Sequence, residues 1–243
     1  NKIMNLLQPS FVGIVGINTR ALKLHQWLGF KVFKMSHYVF ISPFKKKFKI
    51  IKFKNLSKIS LKNKRIFKTK FIEVKKSNIN KLINNDFYKI QTPLKSNKYI
   101  LERYLKHPIY KYLIFLSLND NNKPCSLFVL RKIDHNSSNI IKLIDVIGDN
   151  KYLRSFDEIG IFLFKKFESE YIDFYSHGIP KKYFKNTLFI ECQNQNMIIP
   201  NHFEPFEQKN IDIFCAYKNN GNFKNIKIFR SDGDGDRPSR LYL

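Results

Sequence analysis

Three aspartates alternate with glycines near the C-terminal end, Asp232, Asp234 and Asp236, and Arg237 follows directly. Asp-x-Asp-x-Asp is the spacing that opens a calcium loop. Such a loop needs Gly at its sixth position and Glu at its twelfth, and these are Arg237 and Leu243 here. The residues suit a different chemistry: carboxylates that bond sugar hydroxyls or an amine, with Arg237 set against a carboxylate or phosphate. An ordered C-terminal tail would use the same side chains. His107 precedes Pro108, where a ring can either work on a proton or close a helix end, since positive charge suits a helix C-terminus. Tyr104, Tyr110 and Tyr112 can stack on a base or sugar, or fill a core. His37 and Tyr38 fall on an expected strand. Cys125, Cys192 and Cys215 form no Cys-x-x-Cys pair, and no His/Cys group has metal-ligand spacing. Neither a G-x-S-x-G nor a Walker motif occurs. No metal centre is expected.

Positioning these residues takes a mixed α/β chain. Apolar runs and turn signals predict strands at 11–17, 30–41, 48–53, 112–118, 125–133, 140–147, 171–175, 211–217 and 223–229. Residues 2–7 resemble the end of a helix. Asn18 and Thr19 are helix caps, and Ala21, Leu22, Leu24 and Leu28 follow at helical spacing up to Gly29. Further helices are expected at 79–87, 99–106, 154–170 and 180–188. In this order the second part reads α-α-β-β-β-α-β-α-β-β. The first part repeats the tail of that layout, so the chain reads as one and a half copies of one fold. The expected divisions are 1–60, a basic linker or strand at 61–76, and 77–243.

The composition is that of a globular chain: 243 residues, 43% hydrophobic and 15% aromatic, with 24 Phe and 12 Tyr. No apolar stretch approaches the ~18 residues of a membrane span. The sparse, odd cysteine count argues against a disulfide-stapled secreted protein, and no charged-then-apolar leader follows Asn1. A reducing cytoplasm is the expected compartment, and a chain starting at Asn1 is expected to begin inside something longer. The net charge of +25 raises nucleic acid as a partner. Only eight of the 44 basic residues are Arg, however, and Lys beside abundant Asn, Ile and Phe is the mark of AT-rich coding. With no base-reading motif, nucleic acid is not the expected partner. Residues 45–76 hold fourteen Lys/Arg against one acid, Glu73. Their alternation, Lys47-Phe48-Lys49-Ile50 and Lys52-Phe53-Lys54, predicts a strand with one basic face. That face either guards a sheet edge or meets an anionic partner.

Residues 17–30, Ile-Asn-Thr-Arg-Ala-Leu-Lys-Leu-His-Gln-Trp-Leu-Gly-Phe, resemble the C-terminal signature of the GNAT superfamily of N-acyltransferases, N-x-x-A-x-x-L-Y-x-x-x-G-F. The resemblance implies that Asn18 caps the helix and helps to hold the coenzyme A arm. Ala21 leaves room for pantetheine, Leu24 and Leu28 pack the helix on the sheet, and Leu24 counts with Asn18 and Ala21 as a coenzyme contact. The Tyr that can protonate the leaving thiolate is His25 here. An imidazole can do that work, or it can be a helix residue with a satisfied ring. The family's phosphate loop, Q/R-x-x-G-x-G/A, has no room in the ten residues before Phe11. The equivalent loop of the second copy, residues 147–154, has one Gly and an Asp, a poor pyrophosphate cradle. The second copy is therefore expected not to bind coenzyme A in the family's way.

The C-terminal part is similar to two-domain GNAT proteins of bacterial surface-polysaccharide gene clusters. It shares Arg103-Tyr104-x-x-His107-Pro108-x-Tyr110-x-Tyr112, Tyr171-x-Asp173-Phe174-Tyr175, Phe203-Glu204-Pro205-Phe206 and Asp232-Gly-Asp234-Gly-Asp236-Arg237-Pro238. The implied fold is a tandem of GNAT-like acyltransferase units, α/β with a mixed sheet, the first copy partial. The implied activity moves an acyl group from acetyl-CoA, another acyl-CoA or an acyl-carrier-protein thioester to the amine of a nucleotide-linked amino sugar. His107, Tyr110, Asp232, Asp234, Asp236 and Arg237 would line the acceptor pocket. The alternative is a catalytically silent tandem GNAT module that holds an acyl-carrier protein or nucleic acid through its basic segment.

Overall fold

Residues 140–147 are apolar except for Lys142 and Asp145, a pattern that asks for a strand covered on both faces. The computed structural model, which describes residues 9–53, 67–192, 197–200, 207–233, 235 and 236, builds its main sheet around that strand. In chain order the strands are β1 (Phe11–Ile17), β2 (Lys31–Lys34), β3 (Ser36–Ile41), β4 (Lys52–Phe53), β5 (Lys70–Glu73), β6 (Leu113–Leu118) and β7 (Pro124–His135). They continue as β8 (Ser138–Gly148), β9 (Tyr171–His177), β10 (Ile190–Glu191), β11 (Met197–Ile198), β12 (Phe214–Asn219) and β13 (Ile228–Phe229). The helices are α1 (Leu22–Trp27), α2 (Ile79–Leu82), α3 (Asn97–Ile100, continued as a π turn over Leu101–Leu105) and α4 (Phe156–Phe167).

The large sheet has the order β10-β3-β9-β8-β7-β6-β5, with β13 added against β9. Its neighbours are antiparallel except β8 and β9, which run parallel. α4 covers one face. Phe156, Ile159, Leu163 and Phe164 of this helix are buried against Phe40, Phe128, Leu143 and Phe174 of the sheet. Each such side chain contributes roughly 1.5–3 kcal/mol of apolar burial. Asp157 and Glu158 stand in the first turn of α4 and Lys165 and Lys166 in the last, charges that complement the helix dipole. The other face is covered by α2, α3 and the 3-10 turn Asn85–Ile90, through Ile79, Tyr88, Ile100 and Tyr104.

A second sheet has the order β1-β12-β2, and β11 pairs β4 in a third. Strands from the two ends of the chain therefore share both sheets. β3 of residues 1–60 lies between β9 and β10, and β12 of residues 77–243 lies between β1 and β2. Among the described residues no helix is long and apolar enough to cross a membrane.

Several local expectations change. The 30–41 strand is broken at Met35, whose N–H turns to Ile213 O at 2.8 Å. The alternating strand expected at 48–53 shrinks to β4. The reason is the buried carboxylate of Glu170, which accepts the N–H groups of Lys49, Ile50 and Ile51 at 2.7, 2.9 and 3.1 Å, groups a ladder would otherwise use. The helix expected at 180–188 is only the 3-10 turn Lys181–Tyr183. There Asp157 takes the N–H of Leu188 and Thr187 Oγ1 takes that of Phe189. The helices at 79–87 and 99–106 are broken into α2 with its 3-10 turn, and α3 with its π turn. The 2–7 helix end and residues 54–66 lie outside the described residues.

Candidate functional site

β8 and β9 pair over only three residues each, Ile141 with Ile172, Lys142 with Asp173 and Leu143 with Phe174. Beyond that point β8 runs on to Gly148 and the strands separate. The parting starts at a bulge: Val129 faces Asp145 and Leu130 faces Leu143, which leaves Ile144 as the extra residue. A bulge re-aims the side chains beside it. Here it lets Asp145 share the α3 face with Ile144, while Val146 returns to the α4 face.

The chain's own C-terminal part enters the gap. β13 pairs β9 at Ser176 and His177, and since β3 already pairs Ser176 from the other side, β13 lies on the side of β8. Lys227 Nζ donates to Gly148 O at 2.6 Å. The side chain of Gln91 donates to Val146 O and accepts from Gly148 N.

Two buried charge groups flank this insert. In the first, Lys95 Nζ lies 2.6 Å from both oxygens of Asp145 and 3.1 Å from Asp232, and Tyr104 OH donates to Asp145 at 2.8 Å. Burial alone would lower the Lys95 pKa, but the two carboxylates outweigh it and raise it. Burial raises Asp232 against the pull of Lys95. In the second group, Lys142 Nζ is 3.2 Å from Asp173 Oδ2, and Arg230 and His37 approach the same oxygen at 3.8 and 3.6 Å. Burial and Arg230 push Lys142 down to about 7, with Asp173 opposing. Lys142 and Arg230, by contrast, hold Asp173 below the usual carboxylate range against its burial. Burial lowers His37, which stacks on Tyr175. The short turn Arg230–Asp232 joins the groups. Lys142 can thus exchange a proton near neutral pH, but solvent does not reach it here.

The residues singled out in the sequence fall into two sets. On α1, Asn18 Oδ1 accepts from Ala21 N at 3.0 Å, which caps the 3-10 turn Thr19–Ala21. His25 Nδ1 donates to Ala21 O at 2.7 Å. Leu24, expected to pack the helix on the sheet, is instead 54% exposed, and Trp27 is 81% exposed, because the helix buries no residue of its own; it leaves an apolar stripe in solvent before Gly29, at φ +79°, ends it.

The other set gathers at the C-terminal loop. His107 Nδ1 accepts from the N–H groups of Ile109 and Tyr110, and its ring touches Tyr112. Tyr110 lies under the Arg131 guanidinium at 4.0 Å, and Arg131 donates to Asp236 O. Asp236 is fully buried, accepting from Tyr112 OH at 2.7 Å and from Arg103 at 3.2 Å. His107, Tyr110 and Asp236 are thus engaged with neighbours of their own chain, and Asp232 with Lys95. Asp234, Arg237 and residues 203–206 lie outside the described residues.

Open space lies at the loop between β8 and α4. Asp149 accepts from Lys151 N at 3.0 Å, so a carboxylate of the chain already holds the first amide there. Beside the loop, Lys151, Tyr152, Arg154, Lys182, Tyr183 and Asn186 line a cavity of about 440 Å³, with no acid in its wall. A larger cavity, about 690 Å³, adjoins it across Tyr152 and Arg154.

The sequence did not single out Lys95, Lys142, Asp145, Glu170 or Arg230, and Arg103 and Asp173 stood in it only as parts of shared motifs. The signal was present in part, because Lys142, Asp145 and Asp173 interrupt apolar strands, and a charge in a buried strand must be paired.

No protein-family model matches the chain, and no curated protein matches it in sequence. Solved structures do. A GCN5-related N-acetyltransferase from Anabaena variabilis matches with a TM-score of 0.51 at 9% identity, over 90% of this chain and 48% of that one. A functionally unknown conserved protein from Staphylococcus epidermidis matches at TM-score 0.45 and 14% identity, over 90% and 77%. Saccharomyces cerevisiae N-myristoyltransferase with bound myristoyl-CoA matches at 0.41 and 7%, over 76% and 48%. The chain spans about half the length of the Anabaena and yeast proteins. Its mixed α/β architecture is a GNAT-like acyltransferase fold.

Proposed function

We propose that the chain belongs to an N-acyltransferase that moves an acyl group from a thioester to the amine of a nucleotide-linked amino sugar in the cytoplasm, for surface polysaccharide. The observation that carries this reading is the parallel pair β8–β9, which parts after three residues at the Ile144 bulge, within a GNAT-like fold. We read residues 1–60 as the tail of a first unit and 77–243 as a second.

The donor is acetyl-CoA, another acyl-CoA or an acyl-carrier-protein thioester. Two places in the chain suit a coenzyme. The exposed stripe of α1 fits a pantetheine arm along Asn18, Ala21 and Leu24. Lys151, Arg154 and Lys182 match phosphate charge, while Asp149 occupies an amide that a pyrophosphate would need. Bound there, the coenzyme supplies the activated acyl group. The chain must then hold the acceptor amine in line, take its proton and return one to the departing sulfur. His25 donates at Nδ1 to Ala21 O, so its neutral ring offers only a lone pair at Nε2. It therefore acts as an acid only as the imidazolium. His107, Tyr110, Asp232, Asp234, Asp236 and Arg237 remain the proposed acceptor contacts of the sequence reading.

The test is acetyl transfer from acetyl-CoA to amino-sugar nucleotides by the full-length gene product, beside direct measurement of coenzyme A binding. Absence of both would sink the reading.

One observation favours a silent binding module instead: residues 227–229 enter the gap between β8 and β9, with β13 paired to β9 and Lys227 bonded to Gly148 O. A salt-sensitive complex with an acyl-carrier protein, without thioester chemistry, would select that reading.

A further inference from the structure

The larger cavity lies between residues 67–70, the β6–β7 turn and the first turns before and within α4. Its wall carries both signs of charge. Lys68, Lys70 and Arg154 are the cations, and Asp120 and Glu158 the carboxylates. Lys70 is tied to Asn122 Oδ1 at 3.3 Å, and Arg154 sits over the ring of Phe67 at 3.9 Å. Among the described residues no ion pair or side-chain hydrogen bond engages Lys68, Asp120 or Glu158. Asn119, Asn121, Thr69, Ser117 and Ser155 add polar groups, and Tyr152 an aromatic ring.

This wall discriminates by chemistry. An acyl chain or other apolar molecule would desolvate five charged groups with nothing in return. A polyanion would meet Asp120 and Glu158, and a simple polyamine would meet three cations. A ligand that satisfies the wall carries an anionic group, a free amine and hydroxyls together. At about 690 Å³ the cavity is within the range of ordinary small-molecule sites, ~300–1,000 Å³.

We infer that this cavity binds a phosphorylated, hydroxylated amine of nucleotide-sugar size, its phosphate against Lys68 and Arg154 and its ammonium against Glu158 and Asp120. The role of that ligand as acyl acceptor rests on the proposed function and would put the acceptor in this cavity in place of the contacts at His107, Tyr110 and the C-terminal aspartates, none of which, among the described residues, lines it; the binding itself does not rest on that reading. A ligand here would share Tyr152 and Arg154 with whatever anion occupies the smaller cavity.

Titration calorimetry of the full chain with UDP-glucosamine and with UDP-N-acetylglucosamine tests the inference. The free amine should bind at least about tenfold more tightly, the worth of a modest charge-assisted hydrogen bond. Glu158→Gln should bring the two affinities together while leaving the acetylated ligand's affinity in place. Lys68→Ala, at an exposed position, should weaken both by a similar factor. Equal binding of both ligands by the unaltered chain, binding of neither, or an unchanged preference in Glu158→Gln would overturn it. Acetyl transfer is measured on the same variants. Turnover indifferent to both substitutions would defeat this site and leave the proposed function standing. Amine-selective binding lost in Glu158→Gln, without turnover, would keep the site and remove the catalytic role.

Discussion

Lys142 and Asp173 stand opposite each other on the parallel strands β8 and β9, with Nζ 3.2 Å from Oδ2, and both side chains are sealed from solvent. Removing one member of such a pair leaves a buried charge and costs several kcal/mol, whereas the intact pair is nearly neutral for stability. Its pH dependence is the readable quantity. Lys142 titrates at about 7 when folded, against 10.5 for an ordinary lysine. Between those values the unfolded chain holds a proton that the folded chain has shed. Stability therefore rises with pH across that window and is lost again as pH falls to about 7. The slope from this group is at most about 1.4 kcal/mol per pH unit. Urea midpoints from pH 7 to 10 should show a flatter profile for Lys142→Met; identical slopes would contradict the assignment.

Glu170 is the anchor of the basic segment. Its carboxylate collects three main-chain N–H groups, from Lys49, Ile50 and Ile51, and the hydroxyl of Ser138 at 2.6 Å. Glu170→Gln turns one accepting oxygen into a donor that faces other donors. The expected loss is about 2–4 kcal/mol, from charged hydrogen bonds and an unsatisfied buried amide. Hydrogen exchange should quicken most at Ile50 and Ile51. Unchanged protection there would refute the anchor.

Gly178 has φ +89°, and a β-carbon on it would lie 1.9 Å from Ile226 O. Neither a side-chain rotation nor a small shift relieves a clash with backbone. Gly178→Ala should displace β13 from β9 and cost at least about 2 kcal/mol, from strain plus lost packing. The thermal midpoint reports the cost, and weakened protection of Phe229 places it.

Arg103 Nη2 donates to Ser231 O at 2.6 Å, Gly233 O at 2.7 Å and Asp236 Oδ1 at 3.2 Å. Lysine keeps the charge but not the guanidinium's reach and fixed direction, which bring Nη2 to these three oxygens. Arg103→Lys should cost about 1.5–3 kcal/mol and expose the C-terminal loop to protease. A digestion pattern matching the parent chain would argue against this clamp.

Trp27 is the chain's sole tryptophan and is 81% exposed at the end of α1, one turn from Leu24. A pantetheine arm laid along this helix would remove water from the indole. Adding coenzyme A should then shift its emission to shorter wavelength. A spectrum that ignores saturating coenzyme would remove α1 from the proposed donor site.

The sheet's central strands were legible because their apolar runs are bounded by Asn-Asp-Asn-Asn and Gly-Asp-Asn turns, a local signal. So was the cap at Asn18, which needs only the three residues after it. What local pattern did not carry was decided at long range. Glu170 acts on Lys49 across 121 positions, and nothing near residues 47–54 announces a carboxylate arriving from elsewhere. The C-terminal aspartates were recognised as polar and interactive, but their partners, Lys95, Arg103 and Tyr112, lie more than a hundred residues upstream. Periodicity marks which side of an element is buried; it does not say which distant charge will be buried with it.

The crossing of β3 into one sheet and β12 into the other has a consequence for how this protein can be handled. Dividing the polypeptide anywhere between positions 54 and 66 yields no self-sufficient piece, because each fragment carries away a strand from the other's framework. Heat should melt both sheets in one cooperative step, and severed halves should regain order only when mixed.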